Sequence, residues 1–260
     1  MKESLIGKVA LITGGTTGIG LVVAQQLAAR GVRVAMGGRD QLRGEAAVRS
    51  IGDVSKALFV QTDVSDESQV QALVQQTVNH YGGIDFLFNN AGIEGLLGPL
   101  TTNTEHVLDQ LLAINVKGVL LTLKHVLPHL IERTGGIIVN TASFVGTTVP
   151  FPDAVAYGAT KAAVLSITRS VALGYANDQI QVYAVCPWIT DTPMVDRLTG
   201  HQSDAKAAFG SSNPSGRIAT PEDIAHVVLS LFFQELDLQS GDAVLVDSGA
   251  VWNKIHHLSA

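Results

Sequence analysis

Short apolar runs alternate with longer stretches of helical period along this chain. The runs at 9–13, 32–37, 57–61, 84–88, 137–140, 180–186 and 243–246 predict strands. The segments 18–29, 41–50, 67–81, 103–131, 154–176 and 221–233 predict helices between them. Such alternation predicts βαβ units, a parallel sheet and the α/β class. Near-continuous runs such as Gly136-Ile137-Ile138-Val139 predict strands covered on both faces. No Pro/Ser-rich linker divides residues 1–260, so one domain is expected. The segment 192–220 departs from this pattern: it is polar, has no firm period and holds three glycines and two prolines. A segment of that length inside a compact domain is either functional, here a lid over a site, or plain surface disorder.

Composition narrows the class further. Hydrophobic residues are 46% and charged residues 15% of 260, a balance that excludes disorder and supports a large core without staples. The single cysteine, Cys186, excludes a disulfide framework and a four-cysteine zinc site, and fits a reducing compartment. A net charge of −6 with no basic stripe argues against a nucleic-acid partner. The apolar run after Met1-Lys2-Glu3-Ser4 is too short for a signal-peptide core. The best candidate for a membrane span, 116–127, is broken by Lys117, Lys124 and His125, so a soluble cytoplasmic protein is expected.

The first predicted strand runs into Thr13-Gly14-Gly15-Thr16-Thr17-Gly18-Ile19-Gly20 and then an apolar helix. Glycines at 14, 18 and 20 allow a tight turn and close approach of a pyrophosphate to a helix N-terminus. The competing reading is a tight strand–helix turn without a ligand. A Walker A loop is excluded, because no Gly-Lys-Ser/Thr follows. The second strand ends in Met36-Gly37-Gly38-Arg39-Asp40. Gly38 stands where a carboxylate would grip a ribose 2′-hydroxyl, and Arg39 follows, which favours a 2′-phosphate and hence NADP(H). Asp40 reads as an N-cap for the next helix; turned toward the ribose, it would favour NAD(H) instead.

Tyr157 and Lys161 are one helical turn apart and share a face. A phenol ordinarily ionises at about pH 10. A lysine ammonium at about 4 Å, with an effective dielectric near 20, attracts phenolate by on the order of 4 kcal/mol. That favours ionisation nearer neutrality, before desolvation opposes it, and would let Tyr157 donate or accept a proton. A lone Tyr/Lys pair at this spacing reads mostly as a surface pair.

Taken together, the glycine turn at 13–20, Asn89-Asn90-Ala91-Gly92 after the fourth strand, Ser143 after the fifth, and Tyr157/Lys161 on the next helix resemble the short-chain dehydrogenase/reductase family, from Lys8 to about Gly249. The resemblance implies a Rossmann-type, doubly wound, seven-stranded parallel sheet with helices on both faces. It implies Tyr157 as general acid/base, and Lys161 as the residue that lowers its pKa and holds the nicotinamide ribose. It implies Ser143 as hydrogen-bond donor to the substrate oxygen and Asn115 as anchor of a proton-relay water. Cofactor contacts would come from Gly14, Thr16, Thr17, Gly18, Ile19, Gly20, Arg39, Asp63, Val64, Asn90, Ala91, Gly92, Pro187, Thr190 and Thr192. The nicotinamide carries the redox chemistry, so no metal is implied.

One position departs from the family pattern. Trp188 follows Pro187 where a glycine is usual. Either the backbone is strained there, or it keeps a negative φ and the indole enters the substrate space; the second is expected. By position, the substrate wall would comprise Ile93, Glu94, Phe144, Val145, Pro152, Ala154, Trp188 and Met194. The wall is mostly apolar without an Arg or Lys cluster, which points to a neutral ketone or secondary alcohol with an apolar or aromatic substituent. Glu94 reads as solvated at the cleft mouth. His125 and His129 lack the intervening Glu of a zinc motif, His256-His257 read as a tail, and Cys186 as a core thiol. The long helices at 103–131 and 154–176, with the family's habit, imply a homotetramer. Three functions remain: an NADP(H)-dependent carbonyl reductase or alcohol dehydrogenase, an NAD-dependent dehydrogenase of the same family, and a catalytically silent dinucleotide binder. The last would be marked by loss of the tyrosine or lysine, and both are present.

Overall fold

The computed structural model describes residues 5–149, 151–248 and 250–255. Strand β1 (Val9–Thr13) is buried at all five positions, as its unbroken apolar run requires. It pairs in parallel with β2 (Arg33–Gly38) on one side and β4 (Phe86–Asn89) on the other. Strands β3 (Ala57–Gln61), β5 (Gly136–Thr141), β6 (Ile180–Pro187) and β7 (Ala243–Asp247) extend the sheet in the order β3-β2-β1-β4-β5-β6-β7. These seven strands are parallel, as the alternating pattern predicts. An eighth strand, β8 (Ala250–Ile255), adds antiparallel to β7 at the edge and is not predicted by the apolar pattern. The strand order reverses between β1 and β4, so a crevice opens beyond their carboxyl ends.

Helices cover both faces. On one lie α1 (Gly18–Ala29) and α2 (Gln41–Ser50), packed with Ile12, Val34 and Phe88 of the sheet. On the other lies α3 (Glu67–Tyr81), packed with Leu11, Leu87 and Ile138. The segment expected as one helix at 103–131 is three pieces: α4 (Glu105–Leu112), a π-helical turn at Ala113–Lys117, and α5 (Gly118–Glu132). Taken as a continuous helical run, Glu105–Glu132 is long and apolar enough to cross a membrane. Here it flanks the sheet, with Leu111, Val119, Leu123, Val126 and Leu130 buried. Helix α6 (Val155–Gly174) lies on the same face and adds Val164, Leu165 and Ala172 to that core beside β6.

The segment 192–220 holds two short helices. It forms α7 (Pro193–Leu198) and α8 (Ser203–Ser211), joined through Gly200 and His201 at positive φ. Lys206 of α8 bridges Asp191 (2.5 Å) and Asp196 (2.7 Å). Buried Asn213 then ties the segment down: its Oδ1 accepts from Ile189 N (3.2 Å), and its Nδ2 donates to Ile189 O (2.9 Å) and Arg217 O (2.9 Å). Helix α9 (Pro221–Phe232) follows, started by a reciprocal Thr220/Asp223 cap, and sets Phe232 on Phe86 and Phe88 on the face shared with α1.

Candidate active site

The carboxyl end of β1 leads into the glycine turn. Gly14 and Gly18 have φ of 64° and 53°, and a Cβ on Gly20 would stand 2.2 Å from Gly14 O. The turn therefore closes only with glycine at position 20. Thr17 opens α1 without a side-chain cap, and no acidic residue lies in the first turn. The first-turn N–H groups are thus left for an external anion, which is the property a pyrophosphate needs. Thr13 Oγ1 fastens the turn to β4 by accepting from Asn90 N (3.0 Å) and Ala91 N (3.1 Å). Asn90 Nδ2 returns the tie to Gly14 O (3.2 Å).

A cavity of about 260 Å³ opens at the switch point. Of the expected residues, it is lined by Gly14, Thr17, Gly18, Ile19, Asn90, Ala91, Gly92, Glu94, Ser143, Phe144, Val145, Ala154, Tyr157, Lys161, Pro187, Trp188, Thr190, Thr192 and Met194. Thr16 and Gly20 belong to the turn but do not line the cavity; Arg39, Asp63 and Val64 stand away from it, at or just beyond the carboxyl ends of β2 and β3. Two expected wall residues are not part of the wall. Pro152 is exposed in a short 3-10 turn, and Ile93 has both its backbone groups held by Asn115 instead. Leu97, Phe151, Phe209 and Arg197 line the cavity although the motifs do not point to them, since all four come from irregular or short helical segments where no period marks a face.

Tyr157 and Lys161 face the cavity from the first turns of α6, and Ser143 meets them from the end of β5. Lys161 Nζ lies 5.6 Å from the Tyr157 ring centre and donates to Thr141 O at 2.8 Å. Burial pushes the Lys161 ammonium down to about 8. Burial also dominates at Tyr157 and pushes its phenol up to about 12, against a hydrogen bond from Ser143 and with the help of the Glu94 charge. Desolvation sets the net direction at Tyr157, while the Lys161 ammonium expected to favour phenolate donates to Thr141 O. Cys186, also buried, is held up at about 12 by burial, which leaves it a core thiol.

Asn115 sits in the π-helical turn. Its Oδ1 accepts from Ile93 N (2.9 Å), and its Nδ2 donates to Ile93 O (2.9 Å) and Thr160 Oγ1 (3.1 Å). Thr160 Oγ1 in turn donates to Tyr157 O (2.7 Å). Both amide N–H groups are committed to protein, so the implied relay water gains no side-chain donor here; the side chain instead ties the loop after β4 to the tyrosine's own helix turn.

Trp188 is not among the non-glycine residues with positive φ, and its indole stacks on Phe144 at 4.4 Å and 11°. The backbone is unstrained and the ring forms part of the cavity wall, as expected. Glu94 is not solvated. It is buried, and α7 supplies Arg197 to grip both carboxylate oxygens, Nε to Oε1 at 2.8 Å and Nη2 to Oε2 at 2.9 Å. Asp40 does cap α2, accepting from Arg43 N at 3.0 Å, while Arg39 beside it is exposed. His125 and His129 meet carboxylates of Glu67 and Glu132 (3.1 and 3.2 Å). His256-His257 lie outside the described residues.

The profile of a family described as short chain dehydrogenase matches residues 8–203. The chain is 37% identical over 247 residues to 2-(R)-hydroxypropyl-CoM dehydrogenase of Xanthobacter autotrophicus, covering 93% of this chain and 98% of that protein. The crystal structure of levodione reductase superposes with a TM-score of 0.88 at 34% identity, covering 94% of this chain and 97% of the other. A 3-ketoacyl-(acyl-carrier-protein) reductase from Brucella melitensis, complexed with NADH, superposes with a TM-score of 0.86 at 34% identity, covering 95% and 99%.

Proposed function

The chain belongs to the short-chain dehydrogenase family, and on that premise we propose that it is an NADP(H)-dependent oxidoreductase interconverting a neutral ketone and its secondary alcohol. The observation that carries this reading is one cavity with the glycine turn at one end and Ser143, Tyr157 and Lys161 gathered at the other. The residues fit a dinucleotide. The α1 N-terminus lacks a side-chain cap, and the turn that presents it closes only with glycine at position 20.

When bound, the reduced nicotinamide supplies the hydride. Tyr157 holds the proton that the ketone oxygen must gain, and its raised pKa keeps that proton in place at neutral pH. Ser143, within hydrogen-bonding reach of the phenol, donates to the same oxygen as negative charge builds on it. Lys161 brings a positive charge to the base of the site, steadied by Thr141 O. Phe144 and Trp188 present a stacked apolar wall, with Phe151 and Phe209 nearby, which suits a ring or other apolar substituent.

Arg39 supports NADP(H), because it is exposed just past β2 while Asp40 is committed to capping α2. NAD(H) is the second reading, favoured by the NADH complex of the similar Brucella reductase. The test is a panel of neutral ketones and alcohols assayed with both dinucleotides. Ketone-dependent NADPH oxidation at higher kcat/KM than with NADH is expected. Absence of dinucleotide-linked turnover would refute the activity, and equal or better use of NADH would refute the cofactor assignment. Exposed apolar side chains on α4, α5 and α6, among them Leu112, Leu120 and Leu173, support a homotetramer, which light scattering would register as four times the chain mass.

A further inference from the structure

Among the described residues lining the cavity, the charged ones are Glu94, Lys161 and Arg197. Lys161 is turned to Thr141 O beside Tyr157. The other two engage each other across the wall. Glu94 comes from the loop after β4 and is 11% exposed at its side chain; Arg197 comes from α7 and is 53% exposed. The contact is bidentate, so both carboxylate oxygens and two N–H groups of the guanidinium fork are in use. Glu94 also lies close enough to the reacting end to act on Tyr157, whose phenol its charge helps to hold up.

We propose that Glu94 makes this cavity selective for uncharged substrates by occupying the Arg197 guanidinium that an anionic substituent would otherwise engage. The inference rests on the reading of this cavity as the ketone and alcohol site. A free arginine at the wall of an apolar cavity would be a ready bidentate partner for a carboxylate. With Glu94 in place, an incoming carboxylate must either displace a buried charge and leave it unpaired, or share one cation with it. A neutral substituent of the same shape meets neither obstacle. The charge that sets the preference thus belongs to the protein and is cancelled within it.

The test uses benzoate and benzamide, flat isosteres that differ in charge. Their binding to the full-length protein is measured calorimetrically, with and without NADPH. The unsubstituted protein should bind benzamide more tightly than benzoate. Glu94→Gln should raise the benzoate-to-benzamide affinity ratio about tenfold or more, the worth of a newly available charge-assisted hydrogen bond. The double variant Glu94→Gln/Arg197→Gln should lose that gain. Should Glu94→Gln fail to fold, Arg197→Met approaches from the other side: Glu94 is then uncompensated, and the ratio should fall below that of the unsubstituted protein. A ratio unmoved by either single variant, or a gain that survives in the double variant, overturns the proposal. These readouts need no turnover, so failure of the oxidoreductase reading would appear separately, as absent NADPH oxidation.

Discussion

The chemistry at the residue scale turns on two buried groups whose pKa values move in opposite directions. Tyr157 is pushed up to about 12 and Lys161 down to about 8, both chiefly by burial. Below pH 8 the lysine is charged and the phenol protonated, the pairing that reduction requires. As pH rises through about 8, Lys161 loses its proton while Tyr157 keeps its own, so kcat/KM for ketone reduction should fall across that point. A pH profile of the unsubstituted protein and of Lys161→Met checks this: the alkaline limb near 8 should be absent from the variant, whose remaining rate should be lower by about 10² or more. A limb that persists in the variant would assign it to another group. Trp188 carries a separate prediction. Because it stacks on Phe144 in the wall and its backbone is unstrained, Trp188→Gly should change relative kcat/KM across ring-bearing and small ketones by at least about tenfold, with NADPH affinity little changed. Weaker NADPH binding with unchanged preference would place its role in the cofactor end.

Elements decide where these side chains meet. The π-helical turn between α4 and α5 puts Asn115 against Ile93 and Thr160, and through Thr160 against the backbone of Tyr157. Apolar periodicity across 103–131 does not register that turn, because one inserted residue rotates the face without erasing the pattern. Helices α7 and α8 were hidden for a related reason: six and nine residues are too few to establish a period. What fastens them is polar. Asn213, 3% exposed, makes its bonds to Ile189 and Arg217 at the root of the segment. Asn213→Ala leaves the Ile189 N–H and C=O without these partners, and should cost about 1–3 kcal/mol in denaturant unfolding. It should also raise KM for the ketone, since α7 and α8 contribute Met194, Arg197 and Phe209 to the wall. Unchanged stability would mean that the segment is held by its ion pairs instead.

Across the whole molecule, the seven parallel strands and their alternation with helices were legible because buried parallel strands are written as unbroken apolar runs. Strand β8 was not, since an antiparallel edge strand needs no such run, and Asn253-Lys254 interrupts its sequence. The site was legible where backbone geometry restricts residue choice, at the glycine turn, and where two reactive groups lie one helical turn apart. It was not legible where distant segments pair. Glu94 and Arg197 are 103 positions apart and come from the loop after β4 and from α7, so nothing local announces that the carboxylate is buried and matched. The strand reversal between β1 and β4 brings all of these to one crevice, and the function proposed here depends on that convergence. It is tested most directly by removing one oxygen atom. Tyr157→Phe keeps the ring and its burial but removes the proton donor. NADPH-dependent ketone reduction should fall by about 10³ or more while the NADPH dissociation constant stays within about twofold. Substantial turnover in that variant would contradict it.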